Sequence, residues 1–375
     1  MQTSFKKNQI RLGKIYGIPL TFDFSWFLII LFVTWILAVS YFPSEYKGWS
    51  EISYWIVGAV TSILFFVSVL LHEIGHSVVA KKYNYQVKQI KLFIFGGISE
   101  IREEPRNPSE EFFIAVAGPA ITLLLAGIFY AAAFLFQSNI YLYALFHYLG
   151  LINLILGVFN IIPGFPLDGG RILRALIWKK KKDFDKATKI AAGIGRLFGF
   201  VLIMFGFLEM MAGFIADGIW MSFIGWFLES AAFAQVQKEK LSKFLDGHFV
   251  SEAMTRAFGL VPADTTISEF IQNEILVRHR RAFIVEEGGN YLGLLTIHDI
   301  KKIPKDKWNV VKVTQVMKPL DQIKKVDVDF PLSETLKEMD KKGVNQLPVF
   351  EGDKIVAMLN RESIFSFLTD SNRTK

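Results

Sequence analysis

The sequence predicts two architectures in one chain. The first is an all-α membrane half: six transmembrane helices with a small membrane-associated β-hairpin. The second is a soluble α/β half built from an internal repeat. Three observations predict this. Mean hydropathy is positive at +0.34, and 36 of the 375 residues are Phe, which suits membrane spans. Charged residues nevertheless make up 21% of the chain, too many for spans alone. The charge is also unevenly divided. Residues 1–240 hold 22 Lys+Arg against 16 Asp+Glu, whereas residues 241–375 hold 20 against 19. The net +7 therefore lies almost wholly in the apolar half. Basic loops beside a membrane give that pattern, and a nucleic-acid-binding domain does not. With no Cys, disulfide scaffolds, Cys-ligated zinc fingers, iron–sulfur clusters and thiol proteases are all excluded.

A span needs roughly 20 mostly apolar residues. Six segments qualify: about 24–41, 54–79, 112–136, 140–162, 190–211 and 214–234. The first is aromatic (Phe24, Trp26, Phe27, Phe32, Trp35) and has no small-residue cleavage site before Pro43, so it reads as a span and not as a cleaved signal peptide. Lys and Arg set the orientation. Four precede span 1, six lie between spans 2 and 3, and eight lie between spans 4 and 5, including the run Lys179–Lys182. The three opposite loops hold only Lys47. Both termini are expected in the cytoplasm. With no organelle targeting signal evident, a prokaryotic plasma (inner) membrane is expected.

Late in span 2 stands His72-Glu73-Ile74-Gly75-His76. On a helix the two imidazoles share one face and reach one Zn²⁺, while Glu73 is placed to act as general base. Random order would give roughly 0.005 such patterns in a chain of this composition, which argues against accident. The bland alternative is that these groups satisfy each other by hydrogen bonds. Ionisable groups in a span are costly and usually mark function. Two His leave the site one ligand short. Span 4 ends Asn160-Ile-Ile-Pro163-Gly-Phe-Pro166-Leu-Asp168-Gly169-Gly170-Arg171. Two prolines break the helix, and freed backbone at membrane depth is tolerated only beside a polar cavity. Taken alone, Asp168 reads as the N-cap of an amphipathic helix 169–178. Beside the two His it becomes the candidate third ligand. His76 precedes the basic flank at Lys81 by about 8 Å of helix, and Asp168 follows span 4 on the same side.

These motifs, with the basic loops, resemble the site-2 protease family of intramembrane zinc metalloproteases (peptidase family M50) over roughly residues 10–235. Ala117-Gly118-Pro119 is similar to that family's small-residue Gly-Pro motif. The resemblance implies one Zn²⁺ per chain held by His72, His76 and Asp168, catalysis by Glu73, and substrate contact by Asn153. It implies a membrane protein substrate cut near the cytoplasmic face. The Gly-Phe-Pro-Leu stretch before Asp168, with its second proline, departs from the family pattern. The outer loops are too short for an inserted PDZ-like domain, which places the chain with the compact branch carrying C-terminal CBS modules.

Between spans 2 and 3, two extended runs flank Gly96-Gly97 and predict a β-hairpin. It reads equally as an ordinary surface hairpin or as an edge that pairs with an unwound substrate segment, with Gly96 and Gly97 as substrate-binding candidates. His147, Glu209, Asp217 and Glu229 read as packed or interhelical polar groups.

In the second half, Val250-Ser-Glu-Ala-Met254 recurs as Val313-Thr-Gln-Val-Met317, and the strands after it recur too. Each unit, about 248–305 and 311–369, reads strand, helix, strand, strand, helix, and repeats of this length pair to bury a face. This resembles a tandem of CBS domains, which implies an adenine nucleotide such as ATP and a homodimer through the pair. The family's ribose pattern appears as Gly293, Thr296 and Asp299, and the second repeat departs from it with Ala357, Asn360 and Ser363. A purely structural pair is the competing reading. His279, Arg280 and Arg281 are candidates for phosphate contact or a solvated face. The rival function for the whole chain is a CBS-regulated channel or transporter, which would spread polar residues along several spans.

Overall fold

The computed structural model describes residues 9–373 except 95, 102, 257, 276–281, 302, 324 and 353. The chain forms two compact units that divide between Glu239 and Lys240.

The first unit begins with two strands, β1 (Gln9–Ile15) and β2 (Ile18–Asp23). Helix α1 (Phe24–Ile36) follows, capped by Asp23, and runs through a π-helical turn at Leu37–Tyr41 into α2 (Phe42–Glu45). Then come α3 (Glu51–Lys82), β3 (Val87–Phe93), β4 (Gly96–Ile101), α4 (Pro108–Leu135), α5 (Ile140–Ile161), α6 (Asp168–Lys181), α7 (Phe184–Met211) and α8 (Ile215–Leu245). Among the described residues, six stretches are long and apolar enough to cross a membrane: Phe24–Glu45, Glu51–Lys82, Pro108–Leu135, Ile140–Ile161, Phe184–Met211 and Ile215–Leu245. Several start earlier than hydropathy predicts, because polar caps and not apolar content begin a helix. Ser50 accepts from the Ser53 N–H, Asn107 from Glu110, and Asp183 from Lys186. Residues such as Leu28, Leu31, Phe134, Leu197 and Met211 stay exposed, whereas Ala115, Ala126, Ala133 and Ala144 are buried. Large side chains outward and small ones between helices is the pattern of helices packed within lipid.

The expected hairpin is half of a larger sheet. Its order is β1-β2-β3-β4, with β2 parallel to β3 and the other pairs antiparallel. The segment before span 1, read from the sequence only as a basic tail, supplies the other two strands. Its signal was masked because β1 is short and solvent-facing, so it has no clean apolar alternation. Ile18, Leu20, Phe22, Ile90 and Leu92 form the buried side of the sheet against Val69 of α3. Lys91 pairs with Asp23 at 3.1 Å across β2 and β3. The sheet is thereby fixed to the helix that carries the His pair, with β4 at its edge.

The second unit contains two sheets, β5 (Gly259–Pro262), β6 (Ala282–Glu287), β7 (Asn290–Thr296) and β8 (Lys318–Pro319) in one, and β9 (Val326–Asp327), β10 (Gln346–Glu351) and β11 (Lys354–Asn360) in the other. The repeats exchange their leading segments. Val250 and Ala253, which open the first repeat, lie in the core formed by Val326, Leu332, Leu347, Val349 and Leu359 of the second. Val313, Val316 and Met317, which open the second, pack with Val261, Phe270, Phe283 and Leu295 of the first. Each repeat's core is completed by its partner's first residues, the physical reason the two come as a pair.

Candidate metal centre

His72 and His76 sit one turn apart on α3, both buried, with ring Nε2 atoms 3.1 Å apart. Asp168 is the first residue of α6. Its Oδ2 lies 3.1 Å from the Nε2 of each histidine. The N-cap position belongs to Leu167, which makes no side-chain cap bond, so the carboxylate is turned to the imidazoles and does not close the helix. The loop before it is held in place by α7: the Phe165 N–H donates to the Ala191 carbonyl, and the Phe165–Pro166 peptide is cis. Arg171, one turn on, has a guanidinium nitrogen 4.0 Å from the other Asp168 oxygen.

The hydrogen bonds fix the protonation of both rings. The Thr122 hydroxyl donates to the Gly118 carbonyl, so it is an acceptor toward His72 Nδ1, 2.8 Å away. His76 Nδ1 donates to the Ile114 carbonyl at 2.6 Å. Each Nδ1 therefore carries the proton, and each Nε2 presents a lone pair inward. Two such lone pairs and an ionised carboxylate would repel one another at 3.1 Å, and a cation at their centre, whether a proton or a metal ion, removes that conflict. The separations agree: donors 2.0–2.1 Å from a tetrahedral zinc stand about 3.3 Å apart. Ligand type and spacing fit zinc. Gly118 leaves the space clear, because a Cβ there would stand 2.2 Å from His76 Nε2 and 2.6 Å from His72 Nε2.

Glu73 is half-buried on the neighbouring face of α3, under β4. A Cβ on Gly97 would meet the Glu73 Cγ at 2.5 Å, so β4 packs directly on the Glu73 stem. Gly96 adopts φ +120°, a turn conformation that favours glycine. Asn153 is fully buried; its Nδ2 donates to the Leu149 carbonyl and to Ser68 Oγ, one turn before His72. The structure thus brings His72, His76, Asp168 and Glu73 together with Gly97, and places Asn153 behind the His stripe.

Sequence reasoning missed two features. Arg174 and Glu111 form a buried ion pair joining α6 to the first turn of α4, with Arg174 also over the Phe165 and Phe184 rings. Arg174 sits at i+3 from Arg171 in a basic helix, and Glu111 was legible only as a first-turn acid. Beside the site opens a cleft of about 320 Å³ lined by Ser99, Glu103, Glu104, Arg171, Arg174 and Phe184, among others. His147 stacks on Tyr143, and Glu229 pairs with Arg196 at 2.7 Å between α7 and α8.

In the second unit, Thr296 and Asp299 cap the helix 297–300. The Thr296 N–H and hydroxyl both donate to Asp299 Oδ2, at 3.2 and 2.5 Å. A Cβ on Gly293 would meet the Lys318 carbonyl at 2.4 Å, so close strand packing against β8 requires glycine there. His279, Arg280 and Arg281 lie outside the described residues.

The model of Peptidase family M50 matches residues 60–143 and 136–202, and the CBS domain model matches 250–306 and 313–370. The chain is 32% identical to the putative zinc metalloprotease sll0528 of Synechocystis over 374 residues, 98% of this chain and 97% of the relative. The chain belongs to peptidase family M50, the site-2 type of zinc metalloprotease. This protease is also 33% identical to the zinc metalloprotease MJ0392 of Methanocaldococcus jannaschii, over 95% of this chain and 94% of that one. A solved site-2 protease from M. jannaschii aligns with 35% identity and TM-score 0.43, covering 61% of the protease and 95% of that chain. The protease is a multi-pass membrane protein with a C-terminal CBS pair.

Proposed function

We propose that the protease cuts membrane-spanning or membrane-associated proteins near the cytoplasmic face, with one Zn²⁺ held by His72, His76 and Asp168 and with Glu73 as general base. The single observation that carries this is the convergence of the two Nε2 atoms on one carboxylate oxygen. Bound zinc supplies Lewis-acid polarisation of the scissile carbonyl and a lowered pKa for a water. Glu73 takes the proton of the attacking water and hands it to the leaving amine. Thr122 and the Ile114 carbonyl keep both imidazoles in the tautomer that presents Nε2. β4 is last in its sheet, so a substrate segment that has lost its helix pairs along the outer edge by Gly96 and Gly97. Asn153 acts from the buried side, through Ser68.

The distribution of Lys and Arg supports both termini in the cytoplasm, and the prokaryotic origin of the relatives supports a plasma (inner) membrane. The CBS match supports a regulatory pair that takes one adenine nucleotide at Gly293, Thr296 and Asp299 and joins two copies, gating access to the site. Glu73→Gln tests the core of this reading. Purified protein should keep one zinc per chain and its fold, and a membrane substrate should accumulate uncut in cells. Cleavage at the wild-type rate would sink the assignment.

A further inference from the structure

The Gly164-Phe165-Pro166-Leu167 stretch before Asp168 has no part in the chemistry above, yet its backbone lies against α7 with no room for a side chain between them. A Cβ on Gly164 would stand 2.6 Å from the Gly195 Cα. A Cβ on Gly195 would overlap the Phe165 carbonyl oxygen and come 2.8 Å from the Phe165 nitrogen. One turn earlier on α7, the Ala191 carbonyl accepts from the Phe165 N–H at 3.3 Å. The Phe165 side chain is buried in a cluster with Ala191 and Ala192 of α7 and Ala232 of α8. On its α6 side the ring centroid lies 4.9 Å from the Arg174 guanidinium. On the opposite flank, a Cβ on Gly169 would overlap the carbonyls of Ile161 and Ile162 at the end of α5. The loop is thus bounded by α7 on one side and by α5 on the other. Close-packed interiors transmit strain because they have no slack.

We propose that Gly195 and Phe165 are positioning residues for the third zinc ligand: their contact sets how far the Asp168 carboxylate reaches toward the His pair. This rests on the reading of Asp168 as a zinc ligand. His72 and His76 are placed by one helix, whose spacing alone brings them together. Asp168 lies 92 residues beyond His76, so its placement depends on packing between separate elements. A ligand set must be held within about 0.5 Å of its working geometry. A methyl group on Gly195 forces the loop away from α7, while α3 and its two His stay where they are. Gly193, on the same helix, is the natural control, because a Cβ there meets nothing within 4 Å.

Zinc affinity of the full-length protein in detergent, read by competition with a chelator, tests this without any substrate. Gly195→Ala should weaken zinc roughly 10–100-fold, and Gly193→Ala should leave it unchanged. Wild-type affinity in Gly195→Ala, or an equal loss in Gly193→Ala, overturns the proposal. Phe165→Ala adds no bulk and decides the matter if Gly195→Ala does not fold. It should weaken zinc by a similar factor, and wild-type affinity there overturns the proposal as well. A merely structural role is separated by repeating the titration in Asp168→Ala, with excess zinc offered to the remaining His pair. Neither change should lower that residual affinity further, because the ligand they position is gone. An equal further loss in that background assigns both residues to general stability and overturns positioning. Should Asp168→Ala bind zinc as tightly as the wild type, the ligand assignment itself falls. Weak zinc in Asp168→Ala beside wild-type affinity in Gly195→Ala removes the seat alone.

Discussion

The metal centre on α3, α4 and α6 and the turn between β7 and the helix 297–300 each gather side chains that the sequence singles out, and they differ in what is left over. At the first, every Nδ1 has an acceptor outside the cluster, and the remaining atoms, two Nε2 and Asp168 Oδ2, converge within 3.1 Å of one another. At the second, Thr296 and Asp299 satisfy each other. The second CBS repeat makes the same point with different residues. Asn360 Oδ1 accepts from the Ser363 N–H at 2.6 Å, and Ser363 Oγ accepts from the Asn360 N–H at 3.3 Å. The pattern that departs from the nucleotide motif builds the same cap. A cluster that cannot be balanced without an ion demands a ligand; a cluster that closes on itself permits one without demanding it.

The largest effects should come from breaking the imbalance. His76→Ala or Asp168→Ala should remove zinc from the purified protein, measured as metal per chain, and take proteolysis to background. Zinc retained at one per chain in either variant would show that the ion sits elsewhere. Thr122→Val comes next. It removes the acceptor that holds His72 Nδ1 while conserving shape, so zinc affinity should drop roughly 10–100-fold, read by competition with a chelator. Equal affinity would mean that His72 keeps its tautomer without Thr122.

A third prediction concerns the scaffold. Glu111 and Arg174 are both buried, and removing one partner leaves an unpaired charge beneath α6. Glu111→Ala should destabilise the protein by about 3–5 kcal/mol, seen as a lower thermal midpoint in detergent. The double change Glu111→Leu with Arg174→Met should recover much of that, because a paired apolar replacement strands no charge. If the double variant is as unstable as the single one, the pair contributes more than neutralisation.

Legibility in the sequence followed how local each signal was. The His72–Glu73–His76 stripe is local: helical spacing alone puts two ring nitrogens together. Asp168 lies far along the chain, yet the broken helix before it and the basic flanks pointed to the same membrane depth. β1 and β2 were missed although Ile18, Leu20 and Phe22 alternate, because β1 is largely exposed and the other neighbour of β2, β3, lies beyond α1, α2 and α3. Glu111 and Arg174 were missed because ion pairing between distant helices leaves no trace in spacing. The hydrogen bond between the Ser77 and Ser99 hydroxyls leaves no pattern in the sequence either, and only the approach of β4 to α3 makes it.

The smallest expected effect separates capping from ligand binding in the CBS pair. If Thr296 and Asn360 only cap their helices, Thr296→Ala and Asn360→Ala should each cost roughly 1 kcal/mol and leave zinc content unchanged. Their folds give no reason for the two to differ, since each loses one reciprocal side-chain bond at a helix start. A nucleotide at the first repeat breaks that equality. Saturating ATP should then raise the thermal midpoint of the wild type and of Asn360→Ala, while Thr296→Ala gains less, because one hydroxyl of its site is missing. Binding adds RT ln(1 + [L]/Kd), so ATP at 100 times Kd gives about 2.7 kcal/mol, well above the cap itself. No ATP response in any of the three proteins would assign both turns to structure alone.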